Sequence, residues 1–265
     1  MNLFNQTYTL NEAENKLFQK VTTTEYMVPV IKIIENYLKV DKSDNIKVKW
    51  QNIFDQISSI MKEAQPIVEE YILSRVSNGK IQNADQARRS IVGYVFPYTL
   101  IYIFLNNKLI ENIEPHIYIT NLPSQVEGFE KIATIYAGAE TQKPDVDIVI
   151  YSRNPKTKTI KYIIMSVKTS LRERAGQTYK WKLLMEIATT ENTIKDKYDI
   201  KYEVKNLPLI CFVTADFYNE IDSPQLRGMF KFFDKSFVAK PIDKELIVRL
   251  SNLVSFVNEH LGIKT

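Results

Sequence analysis

Two apolar runs separated by Asn154-Pro155-Lys156-Thr157 constrain this chain most, because they lie in a 34-residue stretch, residues 144–177, reading PDVDIVIYSRNPKTKTIKYIIMSVKTSLRERAGQ. Side chains on a strand alternate between faces, so Asp145, Asp147, Val149 and Tyr151 share one face and Val146, Ile148 and Ile150 the other. The Asn-Pro-Lys-Thr segment is a turn signal, and residues 159–167 should return antiparallel as the second strand of a hairpin. With the turn centred between Pro155 and Lys156, Ser166 falls opposite Asp145 and diagonal to Asp147, and Lys168 follows on the same face. A slip of one residue would carry Lys168 to the other side of the sheet.

Carboxylates and a lysine at the end of a hairpin suit phosphodiester hydrolysis. A hard divalent cation such as Mg²⁺ takes oxygen ligands, which Asp147 and Asp145 can supply. A nearby ammonium can orient or help deprotonate water and offset phosphate charge, and Lys168 fits that role. Taken alone, such spacing more often marks a solvated hairpin face. The residues after the lysine shift that balance. On their own Arg172, Glu173 and Arg174 more often mark a charged helix start; beside the lysine they are a candidate base reader for adjacent C and G pairs, since guanidinium groups pair bidentately with guanine and a carboxylate accepts from cytosine.

The run from Ser166 to Arg174, closed by Gln177, resembles the active-site segment of type II restriction endonucleases of the PD-(D/E)xK superfamily. It is most similar to the branch that cuts CCGG-type and CC-N-GG-type sites. The resemblance is strong over residues 144–177, weaker over 207–236 and not convincing over the first 80. It implies an α/β fold with a mixed β-sheet flanked by helices, Mg²⁺ as cofactor, and double-stranded DNA cut at a short palindrome. It further implies Asp147 as the metal-binding acid, the Val167 carbonyl as a further ligand, Lys168 as the catalytic lysine and Ser170 as its support. Arg172, Glu173, Arg174 and Gln177 become DNA-binding residues. The hairpin register favours Asp145 and the resemblance Asp147, so both stay in play. The acid usual two residues before the lysine is Ser166 here, and Pro97 stands where relatives carry a helical glutamate. Glu186 is the substitute candidate, although a surface pair with Lys182 at i, i+4 is its commoner reading. A palindromic target implies a homodimer, and a cognate DNA methyltransferase is the expected functional counterpart. Two alternatives remain: a structure-specific or repair nuclease of the same superfamily, and a sequence-specific DNA-binding module with a degenerate site.

At 265 residues and 45% hydrophobic composition, the chain can form a single nuclease domain spanning 1–265. Residues 1–110 should be mainly helical, and 111–265 should carry the catalytic sheet and a closing helix. The net charge of +4, from 35 basic and 31 acidic residues, is too mild to identify a nucleic-acid binder. A single cysteine, Cys211, forbids a disulfide within the chain, and two histidines exclude histidine-rich zinc chemistry. No signal-like start, membrane span or phosphate-binding glycine loop is evident, which implies a cytoplasmic protein without nucleotide-driven activity.

Local signals predict a helix capped by Asn11 and running to about Leu38, kinked at Pro29. A second runs from Val48 to Val76 with Pro66 opening a new piece. A third, Ala84 to Asn106, should break near Pro97, with Arg88 and Arg89 on a solvated surface or near phosphate. Residues 207–214 form a buried strand, 222–225 a turn, and 227–233 either a strand or a helix. Lys244 to Leu261 reads as an amphipathic helix.

Overall fold

The computed structural model describes residues 9–154, 156–171 and 175–263. Four helices come first: α1 (Glu12–Thr23), α2 (Met27–Val40), α3 (Ile46–Ser77) and α4 (Ala84–Leu109). Strands β1 (Ile117–Thr120), β2 (Ile135–Ala137), β3 (Glu140–Gln142), β4 (Ile148–Arg153) and β5 (Ile160–Lys168) follow, with the short α5 (Phe129–Ala133) between β1 and β2. After α6 (Ala175–Thr189) and α7 (Thr193–Lys197) come β6 (Ile200–Lys201) and β7 (Leu209–Thr214). The chain closes with α8 (Pro224–Arg227), β8 (Lys235–Val238), β9 (Val248–Arg249) and α9 (Leu253–Leu261).

The main sheet has six strands in the order β1-β4-β5-β7-β8-β9. It is antiparallel across β1, β4 and β5, and parallel from β5 through β7 and β8 to β9. A small antiparallel sheet, β3-β2-β6, lies apart from it. Alternation along the central strands divides the interior. Ile148, Ile150, Ile163, Met165, Val167, Cys211, Val213 and Phe237 join a core with α1 to α4 and α9. Val149, Ile164, Ile210 and Phe212 join a second core with Trp181 and Met185 of α6. Complete burial pushes the Cys211 thiol pKa up, in keeping with a small core residue.

Several local expectations change under tertiary packing. Asn11 does cap α1, accepting from the Glu14 N–H at 2.8 Å while the Glu14 carboxylate receives the Asn11 N–H. The predicted long helix, however, breaks at residues 24–26, and Pro29 sits in the first turn of α2, where a missing N–H costs no intrahelical bond. Pro66 and Pro97 both lie inside unbroken helices. Pro66 is exposed, so water can satisfy the freed carbonyl, whereas Pro97 is buried in a stretch of α4 that is covered on all sides. Residues 228–232 form a 3₁₀ turn and the strand starts only at Lys235. The predicted closing helix is confined to α9, because Val248 and Arg249 add an edge strand to β8 and Asp243 closes the preceding turn by accepting from the Arg249 N–H.

Helix α1 is fastened to α4 and β1 by a buried ion pair. The Lys108 ammonium lies 2.8 Å from both Glu14 oxygens and 2.8 Å from the Ile117 carbonyl, with the Tyr118 ring 4.3 Å away. Both side chains are 1% exposed. Burial pushes the Glu14 pKa up and the Lys108 pKa down, and each charge partly offsets the cost to the other. Glu14→Ala or Lys108→Ala is therefore expected to cost about 3–5 kcal/mol by stranding the other charge. The joint replacement Glu14→Leu/Lys108→Met should cost less than either, and urea unfolding of the three variants checks the order.

Candidate active site

The acids precede β4 and the lysine ends β5, so the hairpin register decides whether they meet. Pairing runs from Arg153 with Ile160 to Ile148 with Met165. Extended by the same register, Asp147 falls opposite Ser166 and Asp145 opposite Lys168. The predicted pairing of Ser166 with Asp145 is thus displaced by two residues. The cause is a longer loop: Asn154 Oδ1 accepts from the N–H groups of Lys156 and Thr157, and Lys158 takes a left-handed φ of 60°. A shift of two preserves the face, so Lys168 still meets the acids.

Lys168 Nζ lies 2.9 Å from Asp145 Oδ2 and 2.8 Å from Asp147 Oδ2. The Val167 N–H also donates to Asp147 Oδ2, at 2.7 Å. A strand residue turns its N–H and C=O to the same edge, so the Val167 carbonyl shares the edge that faces the acids. The lysine side chain is 11% exposed, and the acids are 35% (Asp145) and 23% (Asp147) exposed. Neither carboxylate uses its Oδ1 in a hydrogen bond among the described residues. Ser166, fully buried beside Asp147, likewise has a hydroxyl without a hydrogen-bond partner there. Open carboxylate oxygens, an edge carbonyl and an unused hydroxyl compose an oxygen donor set of the kind that a hard cation and its water take. Among the described residues no three His, Cys, Asp or Glu side chains form a metal-holding cluster.

The substitute acid Glu186 stays apart. It is half exposed and lies 3.5 Å from Lys182, the helical pair that sequence spacing also allowed. Lys182 itself is directed to Asp234, at 2.9 and 3.0 Å, and Asp234 Oδ2 also accepts the Ile210 N–H at 2.7 Å. This ion pair pins α6 to the start of β7. Trp181, Met185 and Ala188 of α6 are buried and Leu184 is half-buried. Arg88 is tied to Glu69 and Asp85 in ion pairs, and Arg89 is exposed. Arg172, Glu173, Arg174 and the Gln177 side chain lie outside the described residues.

Sequence reasoning missed Glu220. Its Oε2 accepts from the Ser170 hydroxyl at 2.9 Å and from the Leu171 N–H at 2.8 Å. The local signal was faint: an Asp and a Glu in the Ala-Asp-Phe-Tyr-Asn-Glu segment that follows the apolar strand β7, with nothing in the spacing to indicate their partners.

The mixed sheet thus brings the two acids that precede β4 against the lysine that closes β5. Comparison with known proteins gives the family: a model described as BsaWI restriction endonuclease type 2 matches residues 125–259, just over half of the chain, which therefore belongs to this family of type II restriction endonucleases. A putative type II restriction enzyme of Methanocaldococcus jannaschii, MjaVIP, is 27% identical over 154 residues, covering 53% of this chain and 67% of that protein. The matched region takes in both acids, the lysine and Glu220. Family membership implies a DNA-acting nuclease, and among the described residues no helix is long and apolar enough to cross a membrane.

Asp234→Ala is expected to lower stability by on the order of 2 kcal/mol, because it strands the Lys182 ammonium and the Ile210 N–H while partial exposure of the pair softens the loss. Thermal unfolding checks this, and Glu186→Ala should change the midpoint by less than a degree or so.

Proposed function

We propose that this protein is a type II restriction endonuclease of the PD-(D/E)xK kind that cleaves double-stranded DNA at a short palindromic site with a CCGG-like or CC/GG-containing core. The observation that carries the reading is the contact of Lys168 with Asp145 and Asp147 at the end of β5, in a chain of this family. Asp147, Asp145 and the Val167 carbonyl are the residues that would hold Mg²⁺. When bound there, the cation would offset charge developing on the phosphate and lower the pKa of an attacking water. Lys168 orients that water and donates to the phosphate, and Ser170 fixes the segment behind the lysine. Water adds to phosphorus and gives up a proton to solvent, the bond to the leaving sugar oxygen breaks, and that oxygen takes a proton from solvent to leave as a hydroxyl. Local charge supports the arrangement: two carboxylates against one ammonium leave a net negative site that attracts a cation before a polyanion can settle there.

Arg172, Glu173 and Arg174 read C and G pairs in the major groove, with Gln177 beside them. A two-fold homodimer matches the symmetry of a palindrome, and a monomer that cuts both strands symmetrically would argue against it. The enzyme acts on cytoplasmic DNA, where a cognate methyltransferase masks the cell's own sites. A second reading, DNA binding without cleavage, is favoured by the absence of a three-acid cluster among the described residues and by the packing role of Pro97, which offers no carboxylate.

Digestion of unmethylated phage-sized DNA in Mg²⁺ is expected to give discrete fragments whose sequenced ends share one C/G-centred palindrome. Lys168→Ala should slow cleavage about 10²–10⁴-fold. Selective binding without cutting in Mg²⁺ or Mn²⁺ would select the second reading, and preference for branched DNA would indicate a repair-type enzyme. Arg172→Ala and Arg174→Ala should lose cognate cleavage yet retain weak, salt-sensitive binding in a mobility-shift assay; an unchanged site preference would sink the reader assignment.

A further inference from the structure

We infer that Glu220 is a positioning residue that fixes the span from Thr169 to Leu171, between the catalytic lysine and the residues proposed to read bases, so that correct reading and fast cleavage depend on one carboxylate. The inference rests on the roles proposed above for Lys168 and for Arg172, Glu173 and Arg174.

Only Thr169, Ser170 and Leu171 separate the lysine from the first arginine. The segment leading out of β7 holds this whole span. The Lys168 carbonyl accepts from the Ala215 N–H and the Thr169 carbonyl from the Phe217 N–H, each at 3.3 Å, which carries the parallel β5–β7 pairing past the end of both strands. The next two residues end on one atom, Glu220 Oε2, through the Ser170 hydroxyl and the Leu171 N–H. Leu171 is itself 2% exposed and packs in the core shared with Trp181 and Met185 of α6.

Glu220 is held in turn. Asp216 Oδ1 accepts the N–H of Glu220 at 2.6 Å and of Ile221 at 3.2 Å. Lys240, just beyond β8, binds Asp216 Oδ2 at 2.8 Å, the Asp216 carbonyl at 2.6 Å and Asn219 Oδ1 at 2.8 Å. Asp216 is 1% and Glu220 6% exposed. The left-handed φ values of Asp216 (48°) and Asn219 (54°) give the tight winding that brings these groups together. Buried, charge-assisted hydrogen bonds yield little to bending, so a continuous line runs from β8 through Lys240, Asp216 and Glu220 to the span between chemistry and reading. Energy from correct base contacts can then be expressed as alignment of Lys168, and a wrong base pair that displaces the reader also displaces the lysine.

The test uses the full-length protein and duplexes carrying either the site found by end sequencing or single-base variants of it. Single-turnover cleavage in Mg²⁺, DNA affinity and thermal midpoints are compared for wild type, Glu220→Ala, Glu220→Gln and Lys240→Met. Glu220→Ala is expected to slow cognate cleavage about 100-fold, the scale of a misplacement near 1 Å, and to shrink the cognate-to-variant rate ratio about tenfold while it still binds DNA. Glu220→Gln, whose amide oxygen can still accept the Leu171 N–H, should recover most of both, and Lys240→Met should fall between. A folded Glu220→Ala with wild-type rate and ratio overturns the inference, as does one that loses rate with the ratio intact, or a glutamine variant no better than alanine. Should the alanine variant not fold, wild-type rate and ratio in Lys240→Met overturn it. A wild type that cleaves no duplex selectively instead overturns the functional reading, and this inference with it; a selective wild type indifferent to these variants overturns this inference alone.

Discussion

The fold depends on the two-sided burial of β5. This strand pairs with β4 on one edge and β7 on the other, and helices cover both of its faces. From Tyr162 to Val167 it therefore carries side chains that tolerate complete removal from water, Ser166 being the one polar member. Charges are accommodated only where cover thins, at Lys161 near the start and at the last residue, Lys168. Position and chemistry have the same origin: the residue that ends the apolar run is also the first that can meet both solvent and acids.

Lysine–carboxylate contacts recur around this sheet with different burial. Lys108 with Glu14 is sealed, Lys182 with Asp234 is mostly covered, and Lys240 reaches a buried Asp216 from a partly open position. In these three the ammonium anchors one element against another. Lys168 has the same partners in kind but lies against acids that are 23% and 35% exposed, each with an oxygen that takes no hydrogen bond among the described residues. Accessibility of the acid, more than the identity of the pair, separates a contact sealed into the frame from one that solvent can reach.

Much of the central architecture was legible because period-two alternation is a strong local signal. It gave the shared face of Asp145, Asp147 and Lys168, while the turn signal at Asn154 gave the hairpin and a continuous apolar run gave the buried strand ending at Thr214. The register was not legible, since it depends on a side-chain-capped loop around Asn154. Pro66 and Pro97 misled because their local cost is outweighed by packing and solvation of the surrounding helix, which no short window contains. The edge strand at Val248 was hidden because it is only two residues long and the apolar positions around it fit a helical stripe equally well. Glu220 was the least accessible of all. Its role comes from contact with residues some fifty positions earlier, and one glutamate among many surface acids carries no mark of such a contact.

The pair Glu14 and Lys108 has a consequence for descent. Either residue lost alone leaves a full charge sealed beneath α1, so the path from this pair to an apolar one passes through an intermediate that few lineages could carry. Such a pair can outlast any advantage that first favoured it, held in place by the difficulty of leaving. Where cousins of this chain keep both residues or neither, the pattern would record shared ancestry of the helical portion and carry no information about which DNA each one cuts.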